Sequence, residues 1–320
     1  MCISIISLSA ESPIINHNNK HSLFKQGVFR GNKDYNFLQV KKMFRSSCHT
    51  HTLYCDGKNT AREMVEAAIS KGFISLGFSG HSPMKQENEW TMSVDDTQKY
   101  IAEINTLKEE FSDKIDILCG IELDSYFFGI NPDDFDYVIG SVHQFEKDGT
   151  FYDIDYTAEH LKKAVDVAFG GSFNKMSKSY YSALADFIIS TKVDVVGHID
   201  LITKFNLDTF LFEETDEEYR SYALEAVDRI ITAKPDILFE VNTGAMFRVG
   251  KKTPYPAPFI LRHIFEKGGR VTLTSDSHSI ESIDFAFEEA VEFIKKIGFE
   301  EIFYLTKSGI KSIKIEELYK

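Results

Sequence analysis

The feature that most limits what this chain can fold into is an alternation of short apolar runs with longer amphipathic stretches, sustained from Phe44 almost to the C-terminus. Runs of strand length occur in FRSSCHTH, in ISLGFSGHS, and at Ile115–Leu123, Tyr137–Val142, Val193–Val196, Ile237–Val241, Val271–Thr274 and Ile302–Leu305. Between them the period is helical, and local signals mark the ends. Thr60 is placed to cap a helix whose apolar stripe is Met64, Ala68 and Ile69, and Gly72 to stop it. A long helix is read over Ser93–Phe111, and others over Ala158–Ala168, Ser179–Thr191, Asp216–Ala233, Pro258–Glu266 and Ile283–Lys296. About seven such β/α units predict an α/β fold with a parallel sheet, open or closed into a barrel. Barrels of about 250 residues fold as one unit, so 320 residues require no second domain. Residues 1–43 break the pattern. The asparagine-rich IINHNNKHS and the basic KKMFR have neither period, and an N-terminal extension outside a domain of residues 44–320 is expected.

Each apolar run ends in side chains of one chemical kind. They are CHTHTLYCDG with His49, His51 and Asp56, FSGHS with His81, GIELD with Glu122 and Asp124, GSVHQ with His143, VGHID with His198 and Asp200, and TSDSH with Asp276 and His278. In a barrel, residues just past each strand meet at one mouth, so distant segments become neighbours. Six of the ten histidines fall at these ends, while His17, His21, His160 and His263 lie elsewhere. Imidazole nitrogen and carboxylate oxygen together suit Zn, Mn and Fe. In an extended H-x-H segment the side-chain period of two puts His49 and His51 on one face. Six imidazoles with several carboxylates exceed the four ligands of one tetrahedral ion, which predicts two or three divalent cations. H-x-H alone is as readily structural as functional; the set carries the reading. Cys48 and Cys55 flank the H-x-H, but nitrogen and oxygen ligands suffice without them.

As an ordered set, HTHTLYCDG, GHS, GIELD, GSVH, VGHIDL and SDSH resemble the motifs of the polymerase-and-histidinol-phosphatase (PHP) superfamily over residues 44–305, and most of all its monofunctional histidinol-phosphate phosphatases. FEVNTGAMFR, with Glu240, Asn242, Thr243 and Arg248, is similar to a segment that follows a strand in those enzymes, with one extra residue before the arginine. The resemblance implies a distorted (β/α)7 barrel of the PHP type around a trinuclear site. It implies one ion on His49, His51, Glu122 and Asp276, a second sharing Glu122 with His143 and His198, and a third on Asp56, His81 and His278. Many relatives have histidine where Asp56 stands. The activity implied is hydrolysis of L-histidinol phosphate in histidine biosynthesis, by in-line attack of a metal-bridging hydroxide. Arg248 is expected to grip the phosphoryl oxygens through two parallel hydrogen bonds. Asp200, or water, is expected to return a proton to the leaving alkoxide. Asp124 and Asp200 would equally serve by orienting ligating histidines.

Bulk properties narrow the partners. With 36 basic and 49 acidic residues the net charge is −13, which repels phosphate backbones and leaves a small phosphorylated substrate rather than nucleic acid. Bound cations reverse the field inside a pocket, so the acidity does not exclude a phosphate ester. Four cysteines without a CxxC pair fit a reducing cytoplasm. The opening MCISIISLSAES lacks a basic n-region, and no apolar run reaches the ~18 residues that span a bilayer. Asp124, Asp153, Lys178, Tyr180, Tyr181 and the chain's many aromatics are candidates for a pocket wall. Two other functions remain open at this point: a different PHP phosphoesterase, acting on phosphotyrosine or small nucleotides, and a metal-binding module without turnover.

Overall fold

The computed structural model describes residues 43–86, 88–207 and 210–319. The expected extension over residues 1–43 lies outside these, Met43 excepted, and Met43 is buried in the core.

The helix ends are set by local chemistry, as the sequence predicts. In α1 (Ala61–Lys71) the Thr60 hydroxyl accepts from the Glu63 amide at 3.2 Å, while the Glu63 carboxylate accepts from the Thr60 amide at 2.8 Å. Gly72 ends the helix at φ 76°, a left-handed conformation that costs glycine nothing. Thr60→Ala removes one arm of this box and is expected to lower stability by about 1 kcal/mol, read as a shifted urea midpoint at unchanged slope. Ser93 caps α2 (Val94–Glu110), and Asp216 caps the helix Glu217–Ala233 in the same way.

The strands are β1 (Arg45–Ser47), β2 (Phe73–Phe78), β3 (Asp116–Asp124), β4 (Tyr137–Ser141), β5 (Gln144–Lys147), β6 (Thr150–Asp153), β7 (Val195–Val196), β8 (Leu238–Asn242), β9 (Arg270–Thr274), β10 (Glu301–Thr306) and β11 (Gly309–Lys314). The remaining helices are α3 (Ala158–Phe169), α4 (Phe173–Ser190), α5 (Glu217–Ala233), α6 (Gly244–Arg248), α7 (Pro258–Glu266) and α8 (Phe287–Ile297). Nine strands form one sheet in the order β1-β2-β3-β4-β7-β8-β9-β10-β11. Every pairing in it is parallel except β10 with β11. The expected α/β class with a mostly parallel sheet is therefore what forms.

No ladder closes this sheet into the expected barrel among the described residues. Its two flanks nonetheless meet beyond the strands. The Ser79 amide donates to the Thr50 carbonyl at 2.9 Å, and the His51 amide donates to the Ser277 carbonyl at 2.8 Å. The chain after β1 is thus held between the chain after β2 and the chain after β9, and the ends of strands on opposite flanks come together there. Tyr137 braces the same region from inside: its buried hydroxyl lies 2.5 Å from the Cys48 carbonyl and 2.8 Å from that of Phe78.

Three elements depart from the sequence reading. α4 starts at Phe173, well before Ser179, because Ser172 caps it and Met176, Tyr180 and Tyr181 face the core. α8 starts at Phe287 rather than Ile283, because Asp284 turns away to pair with Arg45 and Lys71, and Ala286 takes φ 56°. The hairpin β5–β6 was not expected. Its turn is Asp148-Gly149, both at positive φ, the dipeptide that a two-residue hairpin favours.

Candidate active site

The backbone brings the polar strand ends to one place. His49 and His51 follow β1, His81 follows β2, His143 follows β4, His198 follows β7, and Asp276 and His278 follow β9. Glu122 lies within β3, two residues before Asp124, so the pleat puts both on one face. All nine of these side chains except His278 are buried. Asp276 takes φ 47°, in the left-handed region that few residues with a Cβ adopt, and its side chain packs against Gly244. A Cβ on Gly244 would lie 2.9 Å from the Asp276 side chain.

Glu122 is the hub. Its Oε2 is 3.2 Å from His49 Nε2, 3.5 Å from His51 Nε2 and 2.9 Å from His81 Nδ1. Its Oε1 is 3.4 Å from His143 Nε2, 2.9 Å from His198 Nε2 and 2.7 Å from the Ser141 hydroxyl. A carboxylate has about four lone-pair sites, so six neighbours exceed what it can accept. Buried His49 Nε2, His51 Nε2 and Glu122 Oε2 accordingly lack a hydrogen-bond partner. Orphaned donor atoms of metal-ligand type, buried and facing one another, are what a cation site presents. Four sets of such atoms converge: His51, Asp56, His81 and His278; His49, His198 and Asp276; His49, His51 and Glu122; and His81, Glu122 and His143. All nine expected ligand positions are in these sets, and no cysteine is.

The charges respond to this crowding. Burial opposes ionisation of Glu122, but His49, His81 and His143 hold its carboxyl well below the usual range. Burial likewise opposes a proton on His49, and Glu240, Asp276 and Glu122 outweigh it, raising its pKa well above the usual value. His51 goes the other way, lowered by burial and by His278 and His81. For Asp56, burial is outweighed by His81 and His278, which keep it ionised far below the usual range. Cys48 and Cys55 are pushed up to about 12, first by burial, so neither thiol is a thiolate at neutral pH.

Arg248, at the end of α6, reaches the same place. Its two terminal nitrogens sit 3.1 Å and 2.6 Å from the Asp276 oxygens, and one is 2.7 Å from His278 Nδ1. Asp200 stands apart from the four converging sets. It is buried, its Oδ2 accepts from the Ala257 amide at 2.8 Å, and its Oδ1 has no hydrogen-bond partner. Burial raises its carboxyl to about 6, with Lys251 acting against the rise.

Comparison with known proteins agrees with this geometry. The PHP domain family profile matches residues 47–244. A protein of Deinococcus radiodurans named "Probable histidinol-phosphatase" is 32% identical over 261 residues, covering 78% of this chain and 92% of its own. The chain belongs to the PHP domain family, among its histidinol-phosphatases. The histidinol-phosphatase of Bacillus subtilis is 26% identical to this PHP protein, covering 76% of this chain and 97% of its own. In fold, the PHP domain is similar to the histidinol phosphate phosphatase of Lactococcus lactis, solved with Zn, L-histidinol and phosphate. The TM-score is 0.63 at 24% identity, over 84% of this chain and 99% of that one.

Three further carboxylates of the PHP domain surround the site: Glu240 and Asp124, which the sequence motifs include, and Asp155, which they do not. Glu240 on β8 is buried; its Oε1 is 2.6 Å from His49 Nδ1, and its Oε2 accepts from the His198 amide at 2.9 Å. Asp124 accepts from the His143 amide at 2.8 Å and lies 3.3 Å from its Nδ1, the orienting contact foreseen for it. Asp155, unforeseen, is paired with Lys204 at 2.9 Å. Burial would raise its carboxyl, but Lys204 and His143 bring it down to about 2. Asp153 is spent on Gln144 within the hairpin, at 2.7 Å. Lys178 lies over Tyr222 on the exposed side of α4, and Tyr181 pairs with Tyr219 in the core, so neither lines the mouth.

Proposed function

We propose that this protein is a metal-dependent phosphomonoesterase that hydrolyses L-histidinol phosphate to L-histidinol and phosphate, a step of histidine biosynthesis. The observation that carries the reading is the convergence of five imidazoles on the two oxygens of buried Glu122, within 2.9–3.5 Å. The histidinol-phosphatase relatives supply the substrate. The meeting of the flanks at Thr50 and Ser277 supports a barrel of the PHP type, and residues 44–320 are proposed as one such domain.

Two or three divalent ions of the Zn, Mn or Fe kind are proposed, held by His49, His51, Glu122 and Asp276, by Glu122, His143 and His198, and by Asp56, His81 and His278. Bound there, such ions supply Lewis-acid stabilisation of phosphoryl charge and acidify water for attack on phosphorus. The chain's own groups do the rest. Arg248, already at the cluster and about a quarter exposed, would turn its paired N–H groups from Asp276 to the phosphoryl oxygens. Asp200, with one oxygen unpartnered, would pass a proton toward the leaving oxygen, directly or through water. Burial of the cluster keeps bulk water from screening these charges. Among the described residues no helix is long and apolar enough to cross a membrane, and a small soluble ester fits a mouth of this kind.

The test is turnover of L-histidinol phosphate by the full chain, followed as released phosphate, beside phosphotyrosine and a short oligonucleotide. Stripping metal with a chelator is expected to abolish turnover, and Zn, Mn or Fe to restore it. Preference for phosphotyrosine or the oligonucleotide would assign another PHP activity, and metal uptake without hydrolysis of any ester would leave only a binding module.

A further inference from the structure

The chain has a single tryptophan, Trp90, and it lies against the site. Its ring centroid is 4.8 Å from that of His81, nearly perpendicular at 84°, and 5.4 Å from that of His143. Two non-histidine aromatics touch the histidine cluster among the described residues, Trp90 and Tyr255. Tyr255 is 1% exposed and out of a ligand's reach, whereas Trp90 is half-buried. Trp90 is therefore the aromatic surface that a bound molecule can meet while its phosphate is at the cluster.

The loop that carries Trp90 is built to hold it. The Asn88 side-chain carbonyl accepts from the amides of Trp90 at 3.3 Å and Thr91 at 3.0 Å, which fixes a local turn. The Met92 amide then donates to the His81 carbonyl at 3.2 Å, and the Met92 side chain is buried. The backbone on either side of the indole is tied down, and one tie runs to a site histidine itself. The indole N–H has no hydrogen-bond partner among the described residues. Both histidines that the ring meets have polar partners of their own: His143 is held through its amide and Nδ1 by Asp124, and His81 Nδ1 lies 2.9 Å from Glu122.

Resting on the histidinol phosphate reading above, we propose that Trp90 is a specificity residue: its ring takes the imidazole of the substrate's leaving group. A flat heteroaromatic ring, neutral or protonated, gains from an indole by stacking over its whole face, and an aliphatic leaving group, even one that carries an ammonium, cannot stack. Phosphate held at the cluster fixes one end of the substrate and Trp90 the other.

The test compares kcat/KM for L-histidinol phosphate with that for 2-aminoethyl phosphate, which keeps the phosphate and the ammonium but lacks the ring. In Trp90→Ala the ratio is expected to fall about tenfold, mainly through KM for histidinol phosphate, and Trp90→Phe to retain most of it. An equal loss on both substrates would make Trp90 a support for His81 and His143 and overturn the proposal, as would an unchanged ratio. Failure of the wild-type chain to hydrolyse histidinol phosphate would instead sink the functional reading. A second measurement then decides for Trp90 alone. As the only indole, it makes the emission of the metal-loaded wild type report on it, and L-histidinol is expected to change that emission saturably. Silence at L-histidinol concentrations that occupy the site by calorimetry would overturn the proposal.

Discussion

Glu122→Gln is expected to lower turnover by roughly a thousandfold, the scale set when several kcal/mol of charge stabilisation is lost. The substitution keeps the volume and changes the chemistry. One oxygen becomes an NH2 group, aimed either at Nε2 of His49 and His51 or at Nε2 of His143 and His198. In either orientation a donor faces atoms that must themselves face cations. The negative charge shared among the converging sets disappears as well, so metal content is expected to fall by at least one ion per chain. The change also unpairs a buried charge in the metal-free protein, where breaking such a pair costs about 3–5 kcal/mol. Its measure is turnover beside metal stoichiometry on the same folded sample. Metal content at the wild-type level with turnover within tenfold would show that Glu122 is not the shared ligand, and the proposed site would have to be redrawn.

How much of this could be read from the sequence divides along a physical line. Helix ends were legible where the signal is local: Thr60 with Glu63, Gly72, Ser93 and Asp216 each act within four residues of themselves. That the nine candidate side chains meet was legible because strand ends in an α/β fold converge by topology, so chain position substitutes for distance. What failed were features decided by distant partners. Ile283 looks helical in its own segment, but Asp284 is drawn off by Arg45 and Lys71, which the local pattern cannot announce. The hairpin did carry a signal, Asp148-Gly149, in the stretch between Val142 and Ala158 to which no element was assigned. β11, GIKSIK, is exposed at nearly every position and carries no two-residue period, so it becomes a strand only through its pairing with β10. The barrel expected from the resemblance is likewise no local property: the sheet shows no closing ladder among the described residues, and the contact of Thr50 with Ser277 joins distant segments. Trp90 was one aromatic among many until its distance to His81 was known.

Glu240 shows the same limit most clearly, and its substitution should produce the second large effect, of a different kind. The carboxylate is buried with four polar neighbours. Oε1 is 2.6 Å from His49 Nδ1 and from the Thr274 hydroxyl, and Oε2 accepts from the His198 amide and the Asn242 side-chain amide, both at 2.9 Å. All four lone-pair sites are thus used. By accepting a hydrogen bond from His49 Nδ1–H, Glu240 fixes the ring with Nε2 turned to Glu122 and Asp276, where that nitrogen would ligate a cation in place of a proton. In Glu240→Gln the new NH2 group must face either His49, forcing the other tautomer, or two N–H donors that already fill the opposite side. Metal affinity is expected to fall about 10–100-fold, the usual cost of losing an orienting partner, and turnover with it at limiting metal. The difference from Glu122→Gln lies in rescue. Glu240 supplies no ligand atom to the proposed ions, so excess Zn or Mn should return much of the turnover to Glu240→Gln and little to Glu122→Gln. Metal titrations of the two variants, read by activity and by bound ion per chain, separate the roles. If Glu240→Gln stays inactive with its full complement of ions bound, the carboxylate takes part in the reaction itself, and the division of labour drawn here between holding the ligands and being one is wrong.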